Sequence, residues 1–193
     1  MKHTFLLALF MVAFQLLAQN TSPSLTVRDA DLRLALTNDS IQLSEGVKPS
    51  ISYLLSLPEG SYALDEKPYV HQLLAAEKLN INLDDLALLR RVRSIRVDNT
   101  GIYSYSYFKC HFSQRDGTLF FQKTAGSQRK SGYLYRLDSK RFFFLGGSTV
   151  NDDPLTHYGS DSSVAGMLYR VGAARYILLF PSDHGFEIYE FAK

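Results

Sequence analysis

From Gly101 onward, apolar and aromatic residues recur at every second position and are interrupted by short turn signals. No other feature constrains the fold as much, because a period of two belongs to β-strands, and strands joined by short loops run antiparallel. Tyr103, Tyr105 and Tyr107 alternate with Ser104 and Ser106, as a half-buried strand would. Asp116-Gly117 favours a two-residue turn with positive φ, and the segment that follows returns as the partner strand. Residues 132–136 and 141–145 predict a second hairpin around Leu137-Asp138-Ser139-Lys140. Residues 166–171 and 175–180 predict a third around Gly172-Ala173-Ala174, and 186–191 closes the sequence after a loop at 181–185. With 93–98 this makes seven to eight strands, expected as an antiparallel meander sheet or an up-and-down β-barrel.

The first half has a different rhythm. Asp65 and Glu66 precede Pro68, Val70, Leu73, Leu74 and Leu79, which predicts a helix over 65–79. Asp84 and Asp85 are expected to cap a short second helix through Leu86, Leu88 and Leu89. An apolar stretch over 51–57 is stopped by Pro58 and Gly60, and the earlier stripe of Leu32, Ala35 and Leu36 fits a helix or a strand. No Pro/Gly/Ser-rich linker divides the halves. The expectation is a single α+β domain over 20–193, mainly helical over 20–92 and mainly antiparallel β over 93–193, with the helices packed on or capping the sheet.

Residues 1–19 read as a cleaved secretory signal. Lys2 and His3 precede an apolar run from Phe5 that is too short to span a bilayer, and cleavage after Ala18 or Gln19 is expected. Export to the periplasm or the extracellular space follows, with no transmembrane span in the mature chain. The whole sequence carries 21 Lys and Arg against 19 Asp and Glu, so nothing in its charge favours nucleic acid. The lone Cys110 excludes an intrachain disulfide framework. It shares a strand face with Phe108 and Phe112, which favours a small buried hydrophobe, and His111 would point to the opposite face. Four arginines, Arg90, Arg91, Arg93 and Arg96, are read as a solvated face paired with Asp84, Asp85 and Asp98 rather than an anion site.

The search for chemistry yields little. His71, His111, His157 and His184 have no metal-ligand spacing, so neither a metal centre nor a cofactor is expected. Asn151-Asp152-Asp153 with His157 is preferred as an acidic turn over a metal site. Asp183-His184 with Glu187 is a pattern that can orient an imidazole as a general base, but no serine elbow accompanies it and no catalytic residue is assigned. Tyr103, Tyr105, Tyr107, Tyr133 and Tyr135 either line one concave ligand-binding face or pack against the helices.

The segment Gly126-Ser127-Gln128-Arg129-Lys130-Ser131-Gly132 is the most distinctive stretch, read as a polar turn between aromatic strands whose Arg129 can hold an anion. Together with Tyr133-Leu134-Tyr135, Arg141-Phe142-Phe143-Phe144-Leu145-Gly146 and the closing hairpin, it resembles an uncharacterised family of exported bacterial proteins known only as a domain of unknown function. The resemblance covers roughly residues 92–191. It implies one domain, export and an envelope setting, and it brings no activity or catalytic residue. The expected function is a non-enzymatic binding or accessory module for a small molecule or an envelope protein. Its candidate ligand-binding residues are Arg129, Lys130, Tyr133, Tyr135 and Tyr105. The competing readings are an envelope hydrolase using His157 or His184 with neighbouring acids, and a structural subunit that adds an exposed strand to a partner's sheet.

Overall fold

The structure is a computed structural model that describes residues 46–193. The export segment, its cleavage point and the stripe around Leu32 lie outside the described residues. Helix α1 (Val47–Leu55) leads through a 3-10 turn (Leu64–Glu66) to α2 (Lys67–Ala75) and the short α3 (Leu83–Leu88). Nine strands follow: β1 (Arg91–Asp98), β2 (Gly101–Ser104), β3 (Phe108–Arg115), β4 (Thr118–Lys123), β5 (Gln128–Arg136), β6 (Arg141–Val150), β7 (Ser163–Gly172), β8 (Arg175–Ser182) and β9 (Gly185–Ala192). The Asp116-Gly117 turn forms as expected, with φ of 48° and 76° at its two residues.

From β3 to β9 every strand pairs with its sequence neighbour in an antiparallel sense, whereas β1 pairs with β2, β3 and β9, and β2 does not pair with β3. Strand β9 pairs with β1 along its whole length, from Arg91↔Ala192 to Asp98↔Gly185. That pairing closes an eight-stranded barrel, so the α+β expectation holds and its sheet is the up-and-down barrel of the two alternatives. The ninth strand, β2, is extra. It pairs with residues 95–98 of β1, whereas β3 pairs only with Arg91 and Val92. The wall between β1 and β3 therefore parts beyond Val92. The outer edge of β2 is covered, since the Tyr62 N–H donates to the Thr100 carbonyl and the Ile102 N–H to the Tyr62 carbonyl, both at 2.9 Å. An uncovered edge for strand addition is not found there.

This seam corrects the tyrosine alternation. The predicted strand stops at Ser104 because the chain must leave the edge of β1 to reach β3, and Tyr105 and Tyr107 are 50% and 41% exposed in the crossing. Strand β5 begins at Gln128, so Arg129 and Lys130 belong to the strand rather than to the turn. Pro181 also lies within a strand, β8, and not in a loop. It is tolerated because β8 pairs with β7 only as far as Leu179, which leaves Pro181 facing β9 alone.

The helices are shorter than their apolar spacing suggests. Helix α2 ends at Ala75, and Leu79 is already extended, its N–H donating to the Arg170 carbonyl at 2.9 Å. Helix α3 is capped by Asn82, whose side chain accepts the Asp84 N–H at 3.0 Å, while Asp84 and Asp85 occupy the first turn. Asn82→Ala is expected to cost about 1 kcal/mol through that lost cap. A urea titration checks this, and an unchanged midpoint would mean that packing alone holds α3.

Two apolar clusters lie on the two faces of the barrel wall. Outside, Leu54 and Leu57 with Val70, Leu73 and Leu74 of α2 pack on Ile95, Phe143, Leu145, Ile177 and Ile188. Inside, Phe121, Phe144, Phe191, Leu178 and Tyr189 fill one end, which Ile81, Leu86 and Leu89 around α3 plug. Strand β8 serves both, so Tyr176 to Phe180 is a continuous buried run with no alternation left to read.

Candidate functional site

The barrel interior changes character along its length. On β5 the inward positions run Leu134, Gly132, Lys130, and on β4 they run Leu119, Phe121, Lys123. At the end away from α3 the interior thus becomes polar. A cavity of about 260 Å³ opens there, where β1 and β3 part. Ser94 and Glu187 form one wall, and Tyr105 and Phe108 stand at the seam. Lys123 forms the floor, with Ser127 and Gln128 from the β4–β5 turn at the rim.

One ammonium group and one carboxylate line this mouth, and a second ammonium group pairs with the carboxylate. Lys130 pairs with Glu187 through a short contact, and the Ser94 hydroxyl donates to the other Glu187 oxygen. The Lys130 ammonium lies 5.0 Å from the Phe180 ring centre and 5.1 Å from that of Tyr189. Lys123 is only 4% exposed. Its ammonium donates to the Gln128 carbonyl at 2.6 Å and sits 4.7 Å from the Phe108 ring centre. Among the described residues no carboxylate lies within ion-pair distance of it. Burial pushes the Lys123 pKa below the usual lysine value; Glu187 opposes that shift, and Lys130 and Arg129 add to it. Beneath, the Tyr189 hydroxyl is buried with no partner among the described residues, and burial, with the Glu187 charge behind it, drives its pKa well upward.

The five residues singled out from the sequence are not brought together. Tyr105 lines the cavity, and Lys130 pairs with Glu187, which also lines it. Arg129 lies on the outer face of β5 and reaches Asp152 at 3.4 Å. Tyr133 is also on the outer face, its ring 5.0 Å from that of Phe120, and Tyr135 packs against the helix-side cluster. The parity of β5 explains the separation: Leu134 points inward, so its two tyrosine neighbours point outward. Sequence reasoning missed Lys123 and Ser94, and it considered Glu187 only as a partner for His184. The available signal was a lysine and a glutamate on strand faces otherwise occupied by aromatics.

The acids and histidines considered for catalysis stay apart. No hydrogen bond joins any two of Asp152, Asp153, His157, Asp183, His184 and Glu187 among the described residues. Asp152 is fully exposed, and the His184 carbonyl accepts from the Tyr53 hydroxyl at 2.9 Å. Among the described residues no group of three His, Cys, Asp or Glu side chains is arranged to hold a metal. Cys110 faces the interior cluster, where burial, against a smaller pull from Arg90, lifts its thiol pKa to about 12 and leaves it unreactive. Of the four arginines, Arg96 pairs with Asp98 at 3.0 Å, whereas Arg93 turns to Glu190 at 2.7 Å. No helix among the described residues is long and apolar enough to cross a membrane.

A family model described as a domain of unknown function, DUF4893, matches residues 71–191, from within α2 to the last residues of β9. No curated protein matches the chain, and no solved structure does.

Proposed function

The chain belongs to the DUF4893 family, and we propose that it acts outside the inner membrane as a non-enzymatic binding module whose small ligand sits in the open mouth of the barrel. One observation carries the reading: the interior is packed with aromatics at one end and leaves a cavity of about 260 Å³ lined by polar and charged groups at the other. Lys123 is buried beside that cavity with no carboxylate within ion-pair distance among the described residues, an arrangement that a bound anion would complete. Small-molecule sites combine such a concave volume with a few convergent polar groups. The export half of the proposal rests on residues 1–19, whose short basic start and apolar run suit a secretory signal.

Native mass spectrometry of the full chain expressed in its host tests both halves. The expected result is a chain lacking residues 1–18 or 1–19, carrying a small-molecule mass that is lost on denaturation. Gln128→Trp, which places an indole at the rim, is expected to abolish the adduct while the fold persists. A chain that keeps its first residues and carries no adduct in either form would overturn the proposal.

A further inference from the structure

We infer that the ligand is a small monocarboxylate, its acid head held by Lys123 and its apolar body lying against Phe108 and Tyr105. This rests on the barrel-mouth reading and adds a chemical class to it. Three observations converge.

The first is charge. Lys123 and Glu187 line the mouth, and Lys130 pairs with Glu187. Each Glu187 oxygen already accepts a bond, one from Lys130 and one from Ser94, and Lys123 has no carboxylate within ion-pair distance among the described residues, so two positive charges share one negative charge. A single negative charge completes the set, whereas a dianion would overfill it.

The second is geometry. An ammonium has three donors. The Gln128 carbonyl takes one from Lys123, and the faces of Phe108 and Tyr189, 4.7 and 5.6 Å away, take no further hydrogen bond in line. Lys123 lines the cavity with only one of its three donors accounted for by a hydrogen bond, and a carboxylate is the common acceptor that answers both burial and charge.

The third is the shape of the opening. The cavity is entered where β1 and β3 part, between Tyr105 and Phe108. Tyr105 is half-exposed yet fixed at its backbone, because its N–H donates to the Ser94 carbonyl at 2.9 Å. An apolar or planar body threaded through that gap would lie between two rings while its acid reached Lys123.

The test titrates the purified full chain with benzoate and hexanoate, and separately with the neutral benzamide and hexanamide, reading backbone NMR shifts. Both acids are expected to move the signals of Ser94, Tyr105 and Gln128, and the amides to leave them in place. Lys123→Met is expected to weaken acid binding by roughly ten- to a hundredfold, and Lys123→Arg to retain most of it. The wild-type comparison of acid with amide needs no variant to fold. Amides binding as tightly as acids would overturn the monocarboxylate and leave the barrel-mouth reading standing. Acids that shift signals only at exposed lysines elsewhere would overturn it as well. If no acid or amide moves any signal of the mouth, and the host-expressed protein carries no adduct, both inferences fail together.

Discussion

Gly146→Ala, the addition of one methyl group, is expected to destabilise the protein by about 3 kcal/mol or more. Gly146 lies opposite Gly132 across β5 and β6. A Cβ at Gly146 would sit 2.1 Å from the Ser131 carbonyl oxygen and 2.7 Å from the Gly132 Cα. Those are backbone atoms, so no rotamer change relieves the contact and the ladder itself must move. A Cβ at Gly132 meets the same obstacle, 2.3 Å from the Leu145 carbonyl oxygen. The two glycines let the strands approach closely and bend, as the wall of a small barrel requires. Their layer lies between Leu134 and Lys130, where the aromatic filling gives way to the polar mouth. Gly172→Ala supplies the comparison, since its Cβ would meet only the Arg175 side chain at 3.2 Å, and its cost is expected to stay within about 1 kcal/mol. Urea midpoints of the two variants decide the matter. Equal midpoints would mean that the close approach relaxes freely.

The contrast between those glycines also marks how far the sequence could be read. Local chemistry was legible: Asp116-Gly117 makes its turn because that pair accepts positive φ, and successive short loops dictated antiparallel neighbours. Closure was not, because it depends on β1 meeting β9 across most of the described chain, and no local pattern encodes a contact of that range. Facing was lost for a second reason. The helices cover part of the outside of the barrel, so Tyr176 to Phe180 is buried on both faces and its period of two disappears. For the tyrosines of β5 the sequence left open a concave ligand face or packing against the helices; the inward residue there is Leu134, and Tyr135 packs on the helix-side cluster. The site followed the same logic. Lys123 looks like an ordinary solvated strand terminus until the partner strands enclose it, and only the closed barrel buries its charge.

Glu190→Gln is expected to cost about 3 kcal/mol at neutral pH and to remove part of the protein's acid sensitivity. Glu190 is on β9 at the closing seam, 4% exposed, and it faces the helices. It accepts from Arg93 of β1 at 2.8 Å, from Arg175 of β8 at 2.9 Å and from the Tyr69 hydroxyl of α2 at 2.7 Å. The two guanidinium groups lie 5.0 and 5.1 Å from the Tyr69 ring centre. One carboxylate therefore ties three neighbouring strands to the helix that covers them. Glutamine keeps the shape but leaves two arginines facing each other without a counter-charge. Both arginines are partly solvated, which places the loss at the low end for a broken buried pair. Burial raises the Glu190 pKa, but the Tyr69 hydroxyl and the two arginines outweigh it and hold the carboxyl below the usual glutamate value. A group depressed on folding contributes its full stability above its unfolded pKa, near ~4.3, and loses it as pH falls through the folded value. The wild type should therefore lose stability below about pH 4 more steeply than the glutamine variant, and the two curves should converge in acid. Parallel curves from pH 7 down to pH 3 would show that Glu190 titrates alike folded and unfolded, and would remove it as the tie between the barrel seam and α2.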